Sequence, residues 1–142
     1  MMIAVCLLAL VSTAIACSCH RPSSVKHTFC GADLVSHVKV ISRHEEGDDF
    51  FTSESVYGLD HIEVYKKPLD NQTLPSVVYS SPESLCGLTM ELGKEYLLTG
   101  YRSRGDIYAH LCGQVNDGSK FGAVEWHTVS QDLRANLKKF QC

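Results

Sequence analysis

Apolar and polar positions alternate with a period of two along much of the chain and switch to a helical period only near its end. Asp33–Arg43 is rich in β-branched residues, and Val38 and Val40 are set against His37 and Lys39, which predicts a strand. His44–Asp49 (HEEGDD) reads as a charged loop. Phe51–Tyr57 and His61–Tyr65 read as two strands or as one long bent strand. Pro68–Pro75 is bracketed by prolines and reads as a loop. Val77–Ser80, Glu95–Tyr101 and Asp106–Leu111 supply three more strands. In the last of these Ile107, Ala109 and Leu111 face one way and Tyr108 and His110 the other, with Arg102–Gly105 as the hairpin turn before it. Over Thr128–Phe140 the apolar residues Val129, Leu133, Leu137 and Phe140 recur at the helical period. Thr128 and Gln131 are spaced as a capping box, and Lys138 and Lys139 suit the negative end of the helix dipole. The predicted fold is mainly β: five or six antiparallel strands with a C-terminal helix, most simply a small closed barrel.

The opening residues stand apart from this pattern. Ile3–Val11 is an apolar run too short to span a bilayer, followed by Ser12, Thr13 and Ala14-x-Ala16, the small residues of a signal-peptidase site. Residues 1–16 are therefore expected to be a signal peptide and 17–142 one secreted domain. The start lacks Lys and Arg, so only the free amine supplies the positive charge. A lipobox acylated at Cys17 is the rival reading, but Ala14 stands where such motifs usually carry Leu. No later segment is apolar enough to cross a membrane.

Cleavage after Ala16 removes Cys6 and leaves Cys17, Cys19, Cys30, Cys86, Cys112 and Cys142. An even number in a secreted chain reads as three disulfides, with 15 possible connectivities. The net charge of −3 offers no basic excess for nucleic acid. Within the proline-bracketed loop, Asn71-Gln72-Thr73 is a glycosylation sequon.

Seven histidines and these cysteines invite a metal-site reading, yet there is no C-x-x-C or H-x-x-x-H spacing. His20, His27, His37, His44, His61, His110 and His127 are expected to be ordinary surface or strand residues. No G-x-S-x-G elbow is present, and extracellular cysteines are oxidised rather than nucleophilic, so no catalytic residue is assigned. The chemistry sits instead at Cys17-Ser18-Cys19. Bonding both cysteines to the domain would hold an α-amine rigidly at the surface. That amine has a pKa near 7.7–8.0, so about a tenth to a sixth of it is neutral at pH 7, far more than of a lysine, and able to bind a metal. The carbonyl of the same residue can close a five-membered chelate. The metal need not belong to this protein.

These residues resemble the tissue inhibitors of metalloproteinases, specifically their N-terminal netrin-like domain. The matching segments are Cys17-Ser18-Cys19, Phe29-Cys30-Gly31-Ala32-Asp33-Leu34-Val35, Pro82-Glu83-Ser84-Leu85-Cys86-Gly87, Glu95–Gly100 and Trp126-His127-Thr128-Val129-Ser130. The resemblance implies a five-stranded closed OB-like barrel with a short N-terminal helix, a C-terminal helix and three disulfides: Cys17–Cys86, Cys19–Cys112 and Cys30–Cys142. It implies a secreted inhibitor of zinc metalloendopeptidases of the matrix type, acting as a monomer in 1:1 complexes on secreted or membrane-anchored targets. The backbone N and O of Cys17 would ligate the target's catalytic zinc, and the inhibitor would carry no cofactor of its own. Ser18 would enter the primed-side pocket, Cys19 and His20 would follow along the cleft, and Glu83, Ser84 and Leu85 would fill its other side.

Ser18 stands where the family usually has Thr, and residues 20–24 lack the common proline- and histidine-rich continuation. The chain ends at its sixth mature cysteine, so functions of a second six-cysteine domain are not expected. Two other readings use the same scaffold: a netrin-like matrix or receptor module without protease inhibition, and a secreted effector with different partners.

Overall fold

Two long strands set the frame of the barrel. In the computed structural model, which describes residues 17–49, 52–69, 73–118 and 121–142, β1 (Leu34–Glu46) and β2 (Glu54–Lys66) form an antiparallel hairpin. The expectations for residues 1–16 and Asn71 lie outside the described residues. β3 (Val77–Ser80) pairs with β2, β4 (Glu95–Ser103) with β1, and β5 (Asp106–Tyr108) with β4. One parallel pairing, Tyr79 with Tyr108, joins β3 to β5 and completes a ring of five strands. The two-residue β6 (Val124–Glu125) pairs with the start of β4. The barrel is thus closed unevenly, by a long ladder at β1–β2 and a single contact at β3–β5.

Alternation along the strands builds two cores. Leu34, Val38 and Val40 of β1 point into the barrel and meet Tyr57, Leu59, Val78, Leu98 and Ile107. Val35 and Leu97, on the outer faces of β1 and β4, pack beneath Phe29 of α1 (Val25–Gly31) and beneath Leu133 and Leu137 of α2 (Gln131–Leu137). The first half of β1 is therefore buried on both faces, so its burial is nearly continuous and takes in Ser36 and His37 as well as the aliphatic residues. Each such aliphatic side chain contributes about 1.5–3 kcal/mol on burial. Phe29 also meets Phe140 with ring centroids 5.1 Å apart, and the Cys30–Cys142 disulfide joins α1 to the end of the chain. Lys66 caps the end of α1 by donating to the carbonyls of Phe29 and Cys30 at 3.1 and 2.7 Å.

Several local expectations change. HEEGDD is only partly a loop: β1 runs on through Glu46, paired with Ser55 and Glu54, because a bulge at Ile41 resets its faces. Phe51 lies outside the described residues; of the two readings of Phe51–Tyr57 and His61–Tyr65, the single long strand holds, as β2. The sheet is not wholly antiparallel, since β3–β5 is parallel. The regular part of β5 stops at Tyr108, and Leu111 is half-buried rather than part of the core.

The C-terminal helix is shorter than its apolar stripe. Ser130, not Thr128, caps it by accepting from the Leu133 amide at 3.1 Å, while Thr128 sits in a 3₁₀ turn (Trp126–Thr128) and donates to the Glu125 carbonyl. Two histidines are more than surface residues. His37 is buried, stacked 3.8 Å from Trp126 and 2.7 Å from Glu95. His61 bridges Ser36 and the Pro75 carbonyl at 2.8 and 2.6 Å.

Candidate functional site

The N-terminal segment of the described chain lies across the barrel rather than entering its core. Cys17 is bonded to Cys86, with Cα atoms 5.7 Å apart, and Cys19 to Cys112, at 5.3 Å. The half-buried cysteines alternate with exposed Ser18 and His20, so the two bridges clamp the backbone on both sides of Ser18. The chain-entropy model assigns each bridge about 4–5 kcal/mol for its long loop, values that do not add because the loops overlap.

Cys86 ends a tight 3₁₀ turn, Glu83–Leu85, held by bonds from the amides of Leu85 and Gly87 to the Pro82 carbonyl at 2.8 and 3.1 Å. Cys86 itself takes the left-handed conformation, φ 64°, which is costly for a side-chain-bearing residue and here brings its sulfur to Cys17. Gly87 has no substitute at this point, since a Cβ would lie 1.6 Å from the Ser81 carbonyl oxygen. Beneath the turn, buried Ser80 donates to the Ala109 carbonyl at 2.8 Å and accepts from the Leu88 amide at 2.6 Å. Tyr57 reaches through the barrel, donating to the Leu88 carbonyl and accepting from the Met90 amide. The backbone following the turn is thus fixed by polar groups sealed in the core, where each bond is strengthened by the low dielectric.

On the outer surface Glu83 and Leu85 project, Leu85 being 59% exposed. Ser84 turns inward: its hydroxyl is buried and has no hydrogen-bond partner among the described residues. Cys17, Ser18, Glu83, Ser84 and Leu85 lie outside two clefts of about 660 and 570 Å³ among the described residues. Cys19 and His20 border the larger one, which continues towards α1 and Phe121. With Ser18, His20, Glu83 and Leu85 exposed and the segments tied by the Cys17–Cys86 bridge, the pair forms a projecting ridge, a shape suited to entering another protein's cleft rather than to enclosing a small molecule. No group of three or more His, Cys, Asp or Glu residues that could hold a metal ion occurs among the described residues.

The model of the family described as tissue inhibitor of metalloproteinase matches residues 15–140, which takes in both halves of the ridge. The chain belongs to this family. Caenorhabditis elegans tag-225, whose name includes the words metalloproteinase inhibitor, is 38% identical over 94% of this chain and 92% of its own length. Human metalloproteinase inhibitor 2 is 30% identical over 90% of this chain and 57% of its own length. Bovine metalloproteinase inhibitor 2 is 28% identical over 95% of this chain and 61% of its own. The chain thus spans about three-fifths of the vertebrate family members it matches and nearly all of the nematode one.

The sequence drew attention to the ridge residues through their cysteines. It placed Gly87 in the segment that carries the family resemblance without giving it a role, and did not mark Ser80 or Tyr57 as supports of the ridge. Gly87 adjoins a cysteine and offers a weak signal, whereas Tyr57 and Ser80 meet their partners only through the closure of the barrel.

Proposed function

We propose that this chain is a secreted inhibitor of zinc metalloendopeptidases and that its first mature residue is Cys17. The amine nitrogen and carbonyl oxygen of Cys17 take the coordination position on the target's zinc that otherwise holds the attacking water. Zinc is supplied by the protease, and the inhibitor brings no cofactor. Ser18 enters the primed-side pocket; as Ser it is one methyl smaller than the family's usual Thr, a difference of about 1 kcal/mol in packing. Cys19 and His20 follow along the cleft. Glu83 and Leu85 contact the opposite side with their side chains, and Ser84 does so through its backbone.

The observation that carries this reading is the clamping of Ser18 between two disulfides, with exposed Glu83 and Leu85 tied beside Cys17. A ridge fixed in this way loses little conformational entropy on binding. Three disulfides suit an oxidising extracellular compartment. No helix among the described residues is long and apolar enough to cross a membrane.

The test joins N-terminal sequencing of the exported protein with titration against a panel of matrix-degrading zinc proteases. The expected result is a terminus at Cys17, a 1:1 equivalence point, and loss of inhibition when one alanine is added before Cys17. Undiminished inhibition by the extended form overturns the mechanism. A terminus well upstream of Cys17 with no inhibition favours the matrix- or receptor-module reading.

A further inference from the structure

One edge of β4 is paired in two places with a gap between them. β6 pairs with Tyr96 and Leu97, and β5 with Tyr101, Arg102 and Ser103. Thr99 lies between, fully buried, with its other edge against Val35 of β1. A buried peptide unit there needs partners, and no described strand supplies them. Gln114 does. Its Oε1 accepts from the Thr99 amide at 2.9 Å, and its Nε2 donates to the Thr99 carbonyl at 2.9 Å. The Thr99 hydroxyl accepts in turn from the Val115 amide at 2.9 Å. A side-chain carboxamide thus stands in for a neighbouring strand.

The same carboxamide closes the loop that carries Cys112. Its Nε2 also donates to the His110 carbonyl at 3.0 Å, so Cys112 stands midway between two residues pinned to each other. Gly113 carries the turn at φ 81°, and its carbonyl accepts from the Tyr101 hydroxyl at 2.7 Å. Residues 111–114 belong to no strand or helix, so these bonds are what fix the loop. Gln114 is only 6% exposed, and in that low-dielectric setting each bond is strengthened. The loop ends in the ridge: Cys112 is bonded to Cys19, and Leu111 donates to the Cys86 carbonyl at 3.0 Å. Gln114 also lines the larger cleft beside Cys19 and His20.

We propose that Gln114 is a positioning residue for inhibition, acting through Cys112 on Cys19 and so on the course of Ser18–His20 along the proteinase's cleft. It touches neither the proteinase nor its zinc. Ser80 and Tyr57 fix the Cys86 half of the ridge, and Gln114 does the same for the Cys19 half. An apolar residue of similar length would fill the space, but burial is non-directional, whereas hydrogen bonds set an orientation. The carboxamide therefore supplies direction to a loop that packing alone would leave free to shift. The inference rests on the ridge reading above, and its experiment separates the two.

The chain beginning at Cys17 is compared with Gln114→Met, Tyr101→Phe, Cys19→Ser/Cys112→Ser, and Gln114→Met on that bridgeless background. Near-ultraviolet circular dichroism checks the fold of each. Dissociation from a matrix-degrading zinc proteinase is followed, and backbone order parameters at Ser18 and His20 are measured on the free chain. Gln114→Met should dissociate about tenfold faster at an unchanged association rate. Order at Ser18 and His20 should fall from about 0.85 towards about 0.6 while α1 and α2 keep theirs. Tyr101→Phe, which removes a single bond to the loop, should dissociate about threefold faster. Without the Cys19–Cys112 bridge, Gln114→Met should add nothing to either readout. Unchanged dissociation or unchanged order in Gln114→Met overturns the proposal, as does an equal loss with and without the bridge. If Gln114→Met does not fold, Tyr101→Phe decides, and parent-like values there overturn it. Full inhibition by the parent extended by one alanine sinks the ridge reading instead, and Gln114 is then judged by the order parameters alone.

Discussion

The ridge and the helix-covered wall of the barrel are ordered by different means. Under α1 and α2, Phe29, Val35, Leu97, Val129, Leu133 and Leu137 are all nearly inaccessible, and apolar burial holds them. The ridge segments Cys17–His20 and Glu83–Cys86 contain no residue buried to that degree. They are held by two disulfides, a left-handed cysteine and the buried hydroxyls of Ser80 and Tyr57. A surface meant to enter another protein cannot hide its side chains, so its rigidity has to come from covalent and polar links.

Severing those links should therefore weaken binding as well as folding, and thinning the wall should weaken folding alone. The largest effect is expected from Cys86→Ala, which leaves the N-terminal residues free to move. Reordering two residues costs about 1–2 kcal/mol each, so inhibition should weaken about a hundredfold. Stability should fall by about 2–5 kcal/mol, read by denaturant titration. Leu97→Ala is the counterpart in the wall. It should cost about 2–5 kcal/mol by the same titration while the folded fraction inhibits with unchanged affinity. A loss of affinity at Leu97 would mean that the wall also positions the ridge.

Smaller effects sharpen the picture of the wall. Ser130→Ala removes the cap of α2 and its bond to Asp117, and should cost about 1 kcal/mol in thermal melts without changing inhibition. Tyr65 donates to Glu63 at 3.0 Å; burial first, and then this bond, push its phenol to about 12. An unfolded tyrosine ionises near pH 10, so this contribution to stability is complete below about pH 10 and disappears as pH rises through about 12. Tyr65→Phe should flatten that part of the alkaline stability profile. The bonds from Tyr65 and then Lys138 lower the Glu63 pKa, so the Glu63 contribution is present above 4.5 and fades as pH falls.

Legibility in the sequence followed the range of the interactions involved. β3, β4 and the turn at Arg104–Gly105 follow from alternation and turn chemistry, which act between near neighbours. The extension of β1 through Glu46 was hidden because its charged residues pair with β2 beyond the apolar core. Thr128 was the expected cap, but the Trp126–Thr128 turn, closed by the Val129 amide on the Trp126 carbonyl, moved the helix start two residues on, to Ser130. His37 and His61 looked ordinary because Trp126, Glu95 and Pro75 reach them only through the tertiary fold. For the ridge, the C-x-C start marked Cys17 and Cys19 and the family resemblance brought Cys86 beside them, but the inward turn of Ser84 could not be read from the chain.

Coordination itself can be watched by replacing the zinc of a target proteinase with cobalt and recording its visible spectrum during titration. One equivalent of the chain beginning at Cys17 should change the cobalt bands, and this change should weaken as pH falls below about 7 and the amine becomes protonated. The form extended by one alanine should leave the bands untouched. Inhibition accompanied by an unaltered cobalt spectrum would contradict the account.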